Sequence, residues 1–500
     1  MRLCPRVILG SSLVATLSQS APNAFADQFH YNNFIVGDRA IGLAGSYAGI
    51  SDDAAGLYYN PAGLAFALSN DVSGSANAFY KRTQRYVKAV GDKDFEEKSG
   101  GSLPSFFGGL QKIDNVSKGL VFAFGVYTAD SELKDQNDLI EGQNLGKPGG
   151  YILSNGATVN DADGNPKTYA YCYNSATNAK GSERPDIVLS RFHRTVTQRA
   201  STVYAGAAVG WRLTSNLSMG AGLNFVTVEE LVQEYQDTRN KTSVCLSDGT
   251  YSDSSFQLGQ NIRQSLGASG LQATLGLQYA FLSRFSFGLA LKAGRYVAQQ
   301  LTQSVEKQTA EISAADQSTV DSNSAVGKET VVAGFAKVLQ GISSASLKKK
   351  PLGSVPPEAR AGLAYFASTR LLFSSDVTYV GAVKDTQMIG DTLNLYEKEA
   401  VMNYSVGTEY YLYPSVPFRV GYFTNNDARP KVSKNKANQR DHVDYQGATI
   451  FLSWVQPNSQ LGAGLVLQTG TGQAQKTGGY DVQKVVASSQ TFTFSATHSF

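Results

Sequence analysis

The stretch VYAGAAVGWRL, residues 203–213, decides the fold because two kinds of side chain alternate along its whole length. Its odd positions are apolar and include Trp211, whereas its even positions hold Tyr204, Arg212, glycine and alanine. A period of two indicates a β-strand whose two faces meet different surroundings. One apolar face and one face of small or polar residues are typical of a transmembrane barrel strand, with lipid outside and a lumen inside.

Three further segments repeat this alternation: residues 217–225, 271–281 and 285–291. Since the strands of a soluble β-sandwich also alternate, the pattern alone leaves that fold open. The connections favour the barrel, because tight turns such as 214–216 and 457–459 alternate with much longer polar stretches. This asymmetry is typical of the periplasmic and extracellular ends of outer-membrane barrels.

Large aromatic side chains stand shortly before the tight turns. A girdle of aromatic residues at one membrane interface would place them there. The predicted girdle residues are Trp211, Tyr279, Phe281, Tyr365, Tyr410 and Trp454.

Fourteen segments qualify as strands, an even number, as a barrel with both ends on the periplasmic side requires. The last segment alternates up to Phe500 and resembles the C-terminal signal that the barrel assembly machinery reads, which makes that machinery an expected partner. The predicted strands are 70–81, 104–113, 119–129, 195–213, 217–233, 263–282, 285–303, 355–368, 370–381, 400–413, 416–424, 444–456, 459–472 and 487–500.

The composition agrees with an exported β protein, with 17% charged residues, 11% aromatic residues and 49 glycines. Residues 1–26 read as a secretory signal peptide, with two arginines before an apolar core and an A-x-A site at 24–26. Beyond them no apolar run is long enough for a transmembrane helix, so a membrane-spanning form requires a closed barrel. The formal net charge of +3 indicates no nucleic-acid partner.

Two cysteines remain beyond the signal peptide, Cys172 and Cys245, both in polar stretches. An exported chain with two such cysteines invites a disulfide between loops, and two free thiols are the alternative. The four histidines have no metal-ligand spacing, and no nucleophile elbow or phosphate loop is present. We therefore expect no metal, no cofactor and no enzymatic activity.

Three long connections are predicted as extracellular loops: residues 130–194, 234–262 and 304–354. In the third, apolar residues recur at helical spacing and predict an amphipathic helix, either in a ligand-capture loop or merely covering the barrel mouth. The candidate capture residues are Phe335, Val338, Leu339 and Ile342. Residues 348–350 are three lysines, which either contact lipopolysaccharide phosphates or form a solvated charge run.

Residues 27–69 do not alternate and precede the first strand. They contain the run DDAAGLYYNPAGLA, residues 52–65, with Ser51 or Asp52 available as a helix N-cap and Asn60-Pro61 ending any helix that starts there. Such a compact, glycine-rich segment suits a plug in the lumen of the barrel.

This plug segment resembles the N-terminal hatch of the FadL-type long-chain fatty acid and hydrocarbon transporters of the outer membrane. Asn60, Pro61 and Ala62, followed by Gly63, match the NPA signature of that family. The stretches VPPEARAGLAY at 355–365 and SSDVTY at 374–379 support the resemblance, as do the strand count and the terminal Phe500. It implies an all-β fold, a fourteen-stranded antiparallel barrel over residues 70–500 with a small hatch, in the outer membrane of a Gram-negative bacterium.

The resemblance also implies a function: passive uptake of hydrophobic small molecules such as long-chain fatty acids. The loops 234–262 and 304–354 would capture ligand, the hatch would shift, and ligand would leave sideways at a kink in the third strand. Phe124 and Gly125 are the candidate kink, although an ordinary strand glycine is the alternative. We expect a monomer in contact with outer-membrane lipid and lipopolysaccharide. The alternatives are a barrel that shuttles secreted proteins and a polar-solute porin.

Overall fold

The computed structural model places most of the barrel and of the segment before it. The signal peptide and residues 348–350 lie outside the part it describes, so the predictions made for them stay predictions. The described residues are 29–113, 119–144, 171–174, 176–177, 179–183, 185–245, 249–313, 338–347, 352–386, 396–436, 439–476 and 482–500.

Fourteen antiparallel strands form one closed barrel, which confirms the predicted fold. Each strand pairs with its neighbours in sequence, and the ring closes where the first strand pairs with the last, from Asp71 opposite Ser499 onward. The strands are β1 Asp71–Val90, β2 Lys93–Lys112, β3 Leu120–Asn144, β4 Val188–Arg212, β5 Leu217–Cys245, β6 Tyr251–Phe281, β7 Phe285–Ser313, β8 Val355–Ser368, β9 Leu371–Val380, β10 Val401–Tyr413, β11 Val416–Asn425, β12 His442–Gln456, β13 Ser459–Ala474 and β14 Gln483–Ser499.

The alternation predicted from the sequence is present in the barrel wall. In β6, Leu271, Leu275 and Tyr279 are exposed on the outer face, while Gln272 and Thr274 are buried on the inner face. The same outer face carries Trp211 and the other predicted girdle residues near the short turns, all exposed or partly exposed. Among the described residues, no helix is both long and apolar enough to cross a bilayer.

The predicted long loops are wrong over much of their length, because the strands continue far beyond the nine to eleven residues that cross a membrane. Residues 130–144 belong to β3 and 188–194 to β4, and the predicted loop 234–262 is mostly the end of β5 and the start of β6. Polar composition misled the prediction: in these extensions charged side chains point inward and pair with one another, as Arg194 does with Glu234.

The helix predicted around residue 338 is also wrong. Val338–Leu347 is a strand whose backbone pairs antiparallel with β7, from Val338 opposite Ala310 to Leu347 opposite Leu301. Pairing between β7 and the next barrel strand, β8, ends at Gly294, which leaves the rest of β7 with an open edge. The strand Val338–Leu347 covers this edge. Phe335 lies outside the described residues.

A small accessory hairpin, Tyr171–Tyr173 with Lys180–Glu183, sits beside the turn between β5 and β6. The backbone N–H of Ser182 donates to the carbonyl of Gly249 at 2.9 Å. The hairpin that contains Cys172 therefore contacts the turn that follows Cys245, and the disulfide between these two residues stays a prediction.

Before β1, the N-terminal segment (residues 29–69) folds into three short helical turns. These are α1 Asp38–Gly42, α2 Gly56–Tyr59 and a 3-10 turn at Gly63–Phe66. α2 ends at Asn60 in an extended conformation, as expected of a residue before proline. The predicted N-cap is wrong, since Ser51 donates to the carbonyl of Tyr47 and it is Asp53 whose carboxylate accepts the N–H of Ala55.

Candidate functional site

The N-terminal segment occupies the lumen, because its hydrogen bonds reach inward-facing side chains on opposite sides of the barrel. The carbonyl of Ala62 accepts from Ser218 of β5 at 2.7 Å, and the carbonyl of Gly42 accepts from Thr449 of β12 at 3.0 Å. Most of its apolar side chains are buried, and they form one core with inward residues of the wall. Residues 38–66 fill the barrel toward the end that carries the short turns, whereas residues 29–32 lie beside the end of β11 and the start of β12, toward the other end.

Asn60 is fully buried, and its polar atoms make more hydrogen bonds than those of the other residues of the NPA motif. Its side-chain amide donates to the carbonyl of Ala48 at 2.9 Å and to the carbonyl of Leu277 in β6 at 3.1 Å. Its side-chain oxygen accepts the N–H of Ala62 at 3.2 Å, and its backbone carbonyl accepts the N–H of Gly63. Asn60 thus ties the segment both to itself and to the barrel wall.

A chain of buried ion pairs joins α1 to the opposite wall. The Arg39 guanidinium makes a two-point contact with Glu409 of β10, at 2.9 and 3.0 Å. Glu409 is also paired with Arg419 of β11 at 2.6 Å, and Arg39 reaches Asp52 at 3.0 Å. Because each buried charge faces an opposite charge, the network is satisfied only while the segment is in place.

A second anchor lies on β9. The carboxylate of Asp376 accepts the backbone N–H groups of Tyr47 and Ala48, at 3.1 and 2.9 Å. Next to it, the hydroxyl oxygens of Ser46 and Ser374 lie 2.7 Å apart. Each such bond contributes about 1 kcal/mol, so the segment is held by many weak contacts that can break one after another.

Burial, together with the nearby carboxylates of Asp52 and Asp38, raises the pKa of Asp53 from its usual value to about 7. The docked segment therefore holds a proton on Asp53 more tightly than a released segment would. The contribution of Asp53 to docking is therefore fully present below pH about 4 and is lost as the pH rises to about 7.

Eight wall glycines make room for the N-terminal segment. At each of them an added Cβ would lie within 3.2 Å of an atom of the segment, a distance that real Cβ contacts rarely show. Inward-facing glycines therefore form the socket of the segment. They are Gly125, Gly210, Gly220, Gly276, Gly288, Gly362, Gly407 and Gly421.

We expect Gly276→Leu to displace the N-terminal segment, because its side chain would occupy the position of the Asn60 side-chain oxygen. The displaced segment should leave a continuous water path, seen as steady ion conductance in planar bilayers where the unaltered protein is nearly silent. Gly267→Leu is the matched control on the same strand, since nothing lies within 4 Å of its Cβ position. If both variants stayed silent while folding normally, the glycines would not be the socket.

Between residues 30–31 and Tyr58 of the segment lies a cavity of about 80 Å³. Tyr58 of the segment forms its floor, and Tyr204, Tyr296 and Lys292 belong to its wall. The Lys292 ammonium pairs with Glu358 at 3.0 Å and lies 4.0 Å from the centre of the Tyr58 ring. The cavity is thus aromatic, with a few charged groups at fixed positions.

The wall is interrupted on one side of this cavity. The β2–β3 ladder runs only from Lys112 opposite Val121 to Phe106 opposite Tyr127. Among the described residues beyond that point, β2 pairs with β1 alone and β3 with β4 alone. We call this boundary, between residues 93–105 of β2 and 128–144 of β3, the seam.

Both ladders of β3 pass through Phe124 and Gly125 without a register shift, so no bulge lies at these residues, and the kink there stays a prediction. The irregularity lies further on, between Thr128 and Asp130. Gly125 serves close packing, since its Cβ position lies 3.2 Å from Leu57 of the N-terminal segment.

The lower end of the seam lies within the apolar band. From Leu120 to Tyr127 the strand rises roughly 24 Å, or about 18 Å along the barrel axis at the usual tilt. The apolar band of such barrels is about 25 Å tall. Phe107 and Phe124 are exposed on the outer surface at this level. The seam therefore begins where lipid meets the wall.

Side chains replace backbone pairing across the seam. The Tyr80 hydroxyl donates to the carbonyl of Ser131 at 3.3 Å and accepts the N–H of Leu133 at 2.9 Å. Further out, a buried ion pair joins Glu97 of β2 to Lys134 of β3 at 3.1 Å. A boundary closed by side chains can open without breaking a ladder of backbone hydrogen bonds.

The N-terminal segment contacts the seam directly. The amide of Asn33 donates to Asp130 at 2.8 Å, next to the irregularity in β3. The Phe34 ring packs edge-on against Tyr80, with ring centres 5.6 Å apart. Movement of residues 33–34 would therefore remove two supports of the closed seam.

Stacked tyrosines connect the cavity to the base of the seam. Tyr204 stacks on Tyr127 with ring centres 5.0 Å apart, and Tyr127 meets Tyr58 edge-on at 5.1 Å. Tyr127 is paired with Phe106 in the last step of the β2–β3 ladder. A solute in the cavity thus has an aromatic surface leading to the seam.

Sequence reasoning identifies part of this site. It singles out Asn60, Pro61, Ala62 and Gly63, which the structure places toward the short-turn end of the lumen, just after Tyr58, whose ring contacts Tyr127 at the base of the seam. It misses Tyr80 and the other seam residues. One signal was present: Pro104 lacks a backbone donor, which marks the place where β2 leaves the ladder with β3.

Solved structures share this architecture. A FadL homologue of Pseudomonas aeruginosa aligns over 94% of this chain and 100% of its own, with 11% identity and a TM-score of 0.53. The P. putida toluene transporter TodX aligns over 92% of this chain and 97% of its own, with 14% identity and a TM-score of 0.51. No family model and no curated protein matches the sequence.

The chain therefore has the fold of the FadL-type transporters, as the resemblance predicted. A closed barrel of fourteen antiparallel strands, with an apolar outer face and short turns at the end where β1 begins and β14 ends, is the outer-membrane form. The expected Gram-negative outer-membrane location follows from this architecture.

Proposed function

We propose that this chain is a FadL-type channel that takes up hydrophobic small molecules, long-chain fatty acids or similar lipophilic compounds, across the outer membrane. The observation that carries the proposal is the combination of an occluded lumen with a seam beside it. A solute that cannot pass straight through has a sideways route, and that route ends in lipid.

The size of the cavity supports a moving hatch. An engineered protein cavity of about 150 Å³ binds benzene, whereas the cavity beside Tyr58 has about 80 Å³. A fatty acid is larger still, so it fits only if the segment shifts. The N-terminal segment would then be a hatch, and its weak anchors on Asp376 and Ser374 would be those that yield.

Hatch movement and lateral release are coupled in this proposal. A ligand entering above Tyr58 pushes the segment, which withdraws Asn33 from Asp130 and Phe34 from Tyr80. The seam loses its inner supports, and the solute slides over Tyr127 into the bilayer. Burial of apolar ligand surface provides the driving force, roughly 25 cal/mol per Å².

We expect Asn60→Ala to lower uptake of labelled oleate several-fold in cells that express this chain as their sole transporter of this type. The substitution removes three buried hydrogen bonds that tie the segment together beside Tyr58, so a ligand that pushes on Tyr58 no longer draws residues 33–34 away from the seam. Barrel assembly should be unchanged, as judged by the altered gel mobility of the folded barrel before heating.

Ser433→Ala serves as the control, because its contacts lie in the connection before β12, away from the segment. Unchanged uptake of every hydrophobic substrate by Asn60→Ala would mean that the NPA motif is only structural. A large protein partner recovered with the chain, together with indifference to hydrophobic solutes, would instead favour a secretion barrel. Steady conductance of the unaltered protein would favour a porin.

A further inference from the structure

The lumen holds a buried carboxylate that no cation neutralises. Glu230 of β5 faces inward and is 3% exposed. Its one hydrogen bond is from the side-chain amide of Gln264 in β6, at 3.2 Å to Oε1, while Oε2 has no partner. In the described part of the chain, no lysine or arginine lies within ion-pair distance of it. Burial raises the pKa of Glu230 well above its usual value, against the attraction of the more distant Arg440, so a bound cation would favour its ionised form.

A neighbouring amide is also unsatisfied. Gln198 of β4 is 1% exposed, and neither its oxygen nor its nitrogen has a partner. Val232 stands opposite Gln198 in the ladder, which makes Glu230 its diagonal neighbour at roughly 7–8 Å, within reach of long side chains. A buried polar atom without a partner is unfavourable, so a ligand that gave partners to two adjacent residues would be stabilised there.

The hydrogen-bond chain around Glu230 has a direction. Gln303 donates to the oxygen of Gln264 at 3.3 Å, and Gln264 donates to Glu230. Each of the two amides donates one N–H to the next member of the chain, and the carboxylate of Glu230 is the last acceptor. The ionised form of Glu230 is therefore completed by a donor, ideally a cationic one, and is opposed by a second carboxylate.

The surroundings are apolar and adjoin the cavity. Leu266 lies opposite Glu230 in the ladder, and Val228 is the next inward residue along β5; both belong to a buried apolar cluster with Tyr396. Val228 stands opposite Thr202, a lining residue of the cavity, so Glu230 sits about 7 Å beyond the cavity wall.

We propose that Glu230 and Gln198 form a subsite for the head group of a long-chain ammonium compound, whose chain lies on the apolar cluster beside them. An ammonium has three donors. Glu230 Oε2 and the side-chain oxygen of Gln198 offer acceptors for two of them. This subsite rests on the proposed channel function and adds a preference for amphiphiles with a donor head over those with a carboxylate head.

The test compares binding of labelled dodecylamine and dodecanoate to the full protein in phosphatidylcholine nanodiscs, with empty nanodiscs subtracted. We expect dodecylamine, protonated at pH 7, to bind at least about tenfold more tightly than dodecanoate, as one charge-assisted hydrogen bond allows. Glu230→Gln should remove this preference. Glu229→Gln, the same change on the exposed outer face of the same strand, should retain it.

Gln198→Leu keeps the charge of Glu230 and should weaken dodecylamine binding several-fold, so it carries the test if Glu230→Gln fails to assemble. Equal binding of the two probes by the unaltered protein, or an undiminished preference in Glu230→Gln, would overturn the subsite. If the unaltered protein takes up oleate but does not prefer the amine, the subsite is refuted and the channel stands. If the unaltered protein takes up no hydrophobic solute, the channel function itself is refuted.

Discussion

Uptake should fall at least about tenfold when a disulfide joins the N-terminal segment to the barrel wall through Ser46→Cys and Ser374→Cys. The two hydroxyl oxygens lie 2.7 Å apart, so the sulfur atoms of the two cysteines are close enough to bond. The native contacts are worth about 1 kcal/mol each and break thermally, whereas a covalent bond does not. Labelled oleate uptake by oxidised and reduced cells measures the effect.

The double variant is made with Cys172 and Cys245 replaced by serine, so that one disulfide alone is possible. Ser75→Cys with Ser105→Cys is the matched control, since these hydroxyls lie 2.9 Å apart and their disulfide joins β1 to β2, which already pair there, leaving the β2–β3 boundary free. Uptake should return on reduction in the test pair and stay constant in the control pair. Full uptake by the oxidised test pair would mean that the segment need not move.

A disulfide across the seam should block release just as strongly. An added Cβ at Gly101 would lie 3.7 Å from the Cβ of Leu133, close to the usual separation of about 3.8 Å in a disulfide. Gly101→Cys with Leu133→Cys therefore joins β2 to β3 where no backbone ladder does. We expect oxidised cells to take up oleate at least about tenfold more slowly than reduced cells.

The seam variant separates two routes. If solute passes down the lumen toward the periplasm, a closed seam leaves uptake unchanged while the Ser46–Ser374 disulfide still blocks it. If solute leaves sideways, both disulfides block uptake. Binding of oleate to the purified seam variant should persist, because the cavity beside Tyr58 is untouched.

The barrel could be predicted because a membrane-spanning strand has only two environments, lipid and lumen. The alternation from Val203 to Leu213 reports both, and the same pattern locates all fourteen strands. Beyond the membrane this signal fails. There the inward face carries pairs such as Arg194 with Glu234, whose charges resemble those of a solvated loop until the partner is known.

The site was harder to predict because its contacts join residues far apart in sequence. Arg39 and Glu409 are 370 residues apart, and no local sequence pattern around either residue predicts that they pair. Asn60 is recognisable because its motif is local and resembles a known signature. The seam exists because the ladder of backbone hydrogen bonds between β2 and β3 ends partway along the two strands. The sequence of one strand does not show which of its residues pair with the neighbouring strands.

The central claim is that solute passes from the cavity through the seam into lipid. Anomalous diffraction from crystals soaked with 1-bromododecane tests it most directly, since the anomalous signal of bromine marks the position of the solute in the wall or lumen. Peaks beside Tyr58 and Tyr127 and between Gly101 and Leu133 are the predicted result. Bromine sites leading past Asn60 toward the short-turn end, with none at the seam, would contradict lateral release.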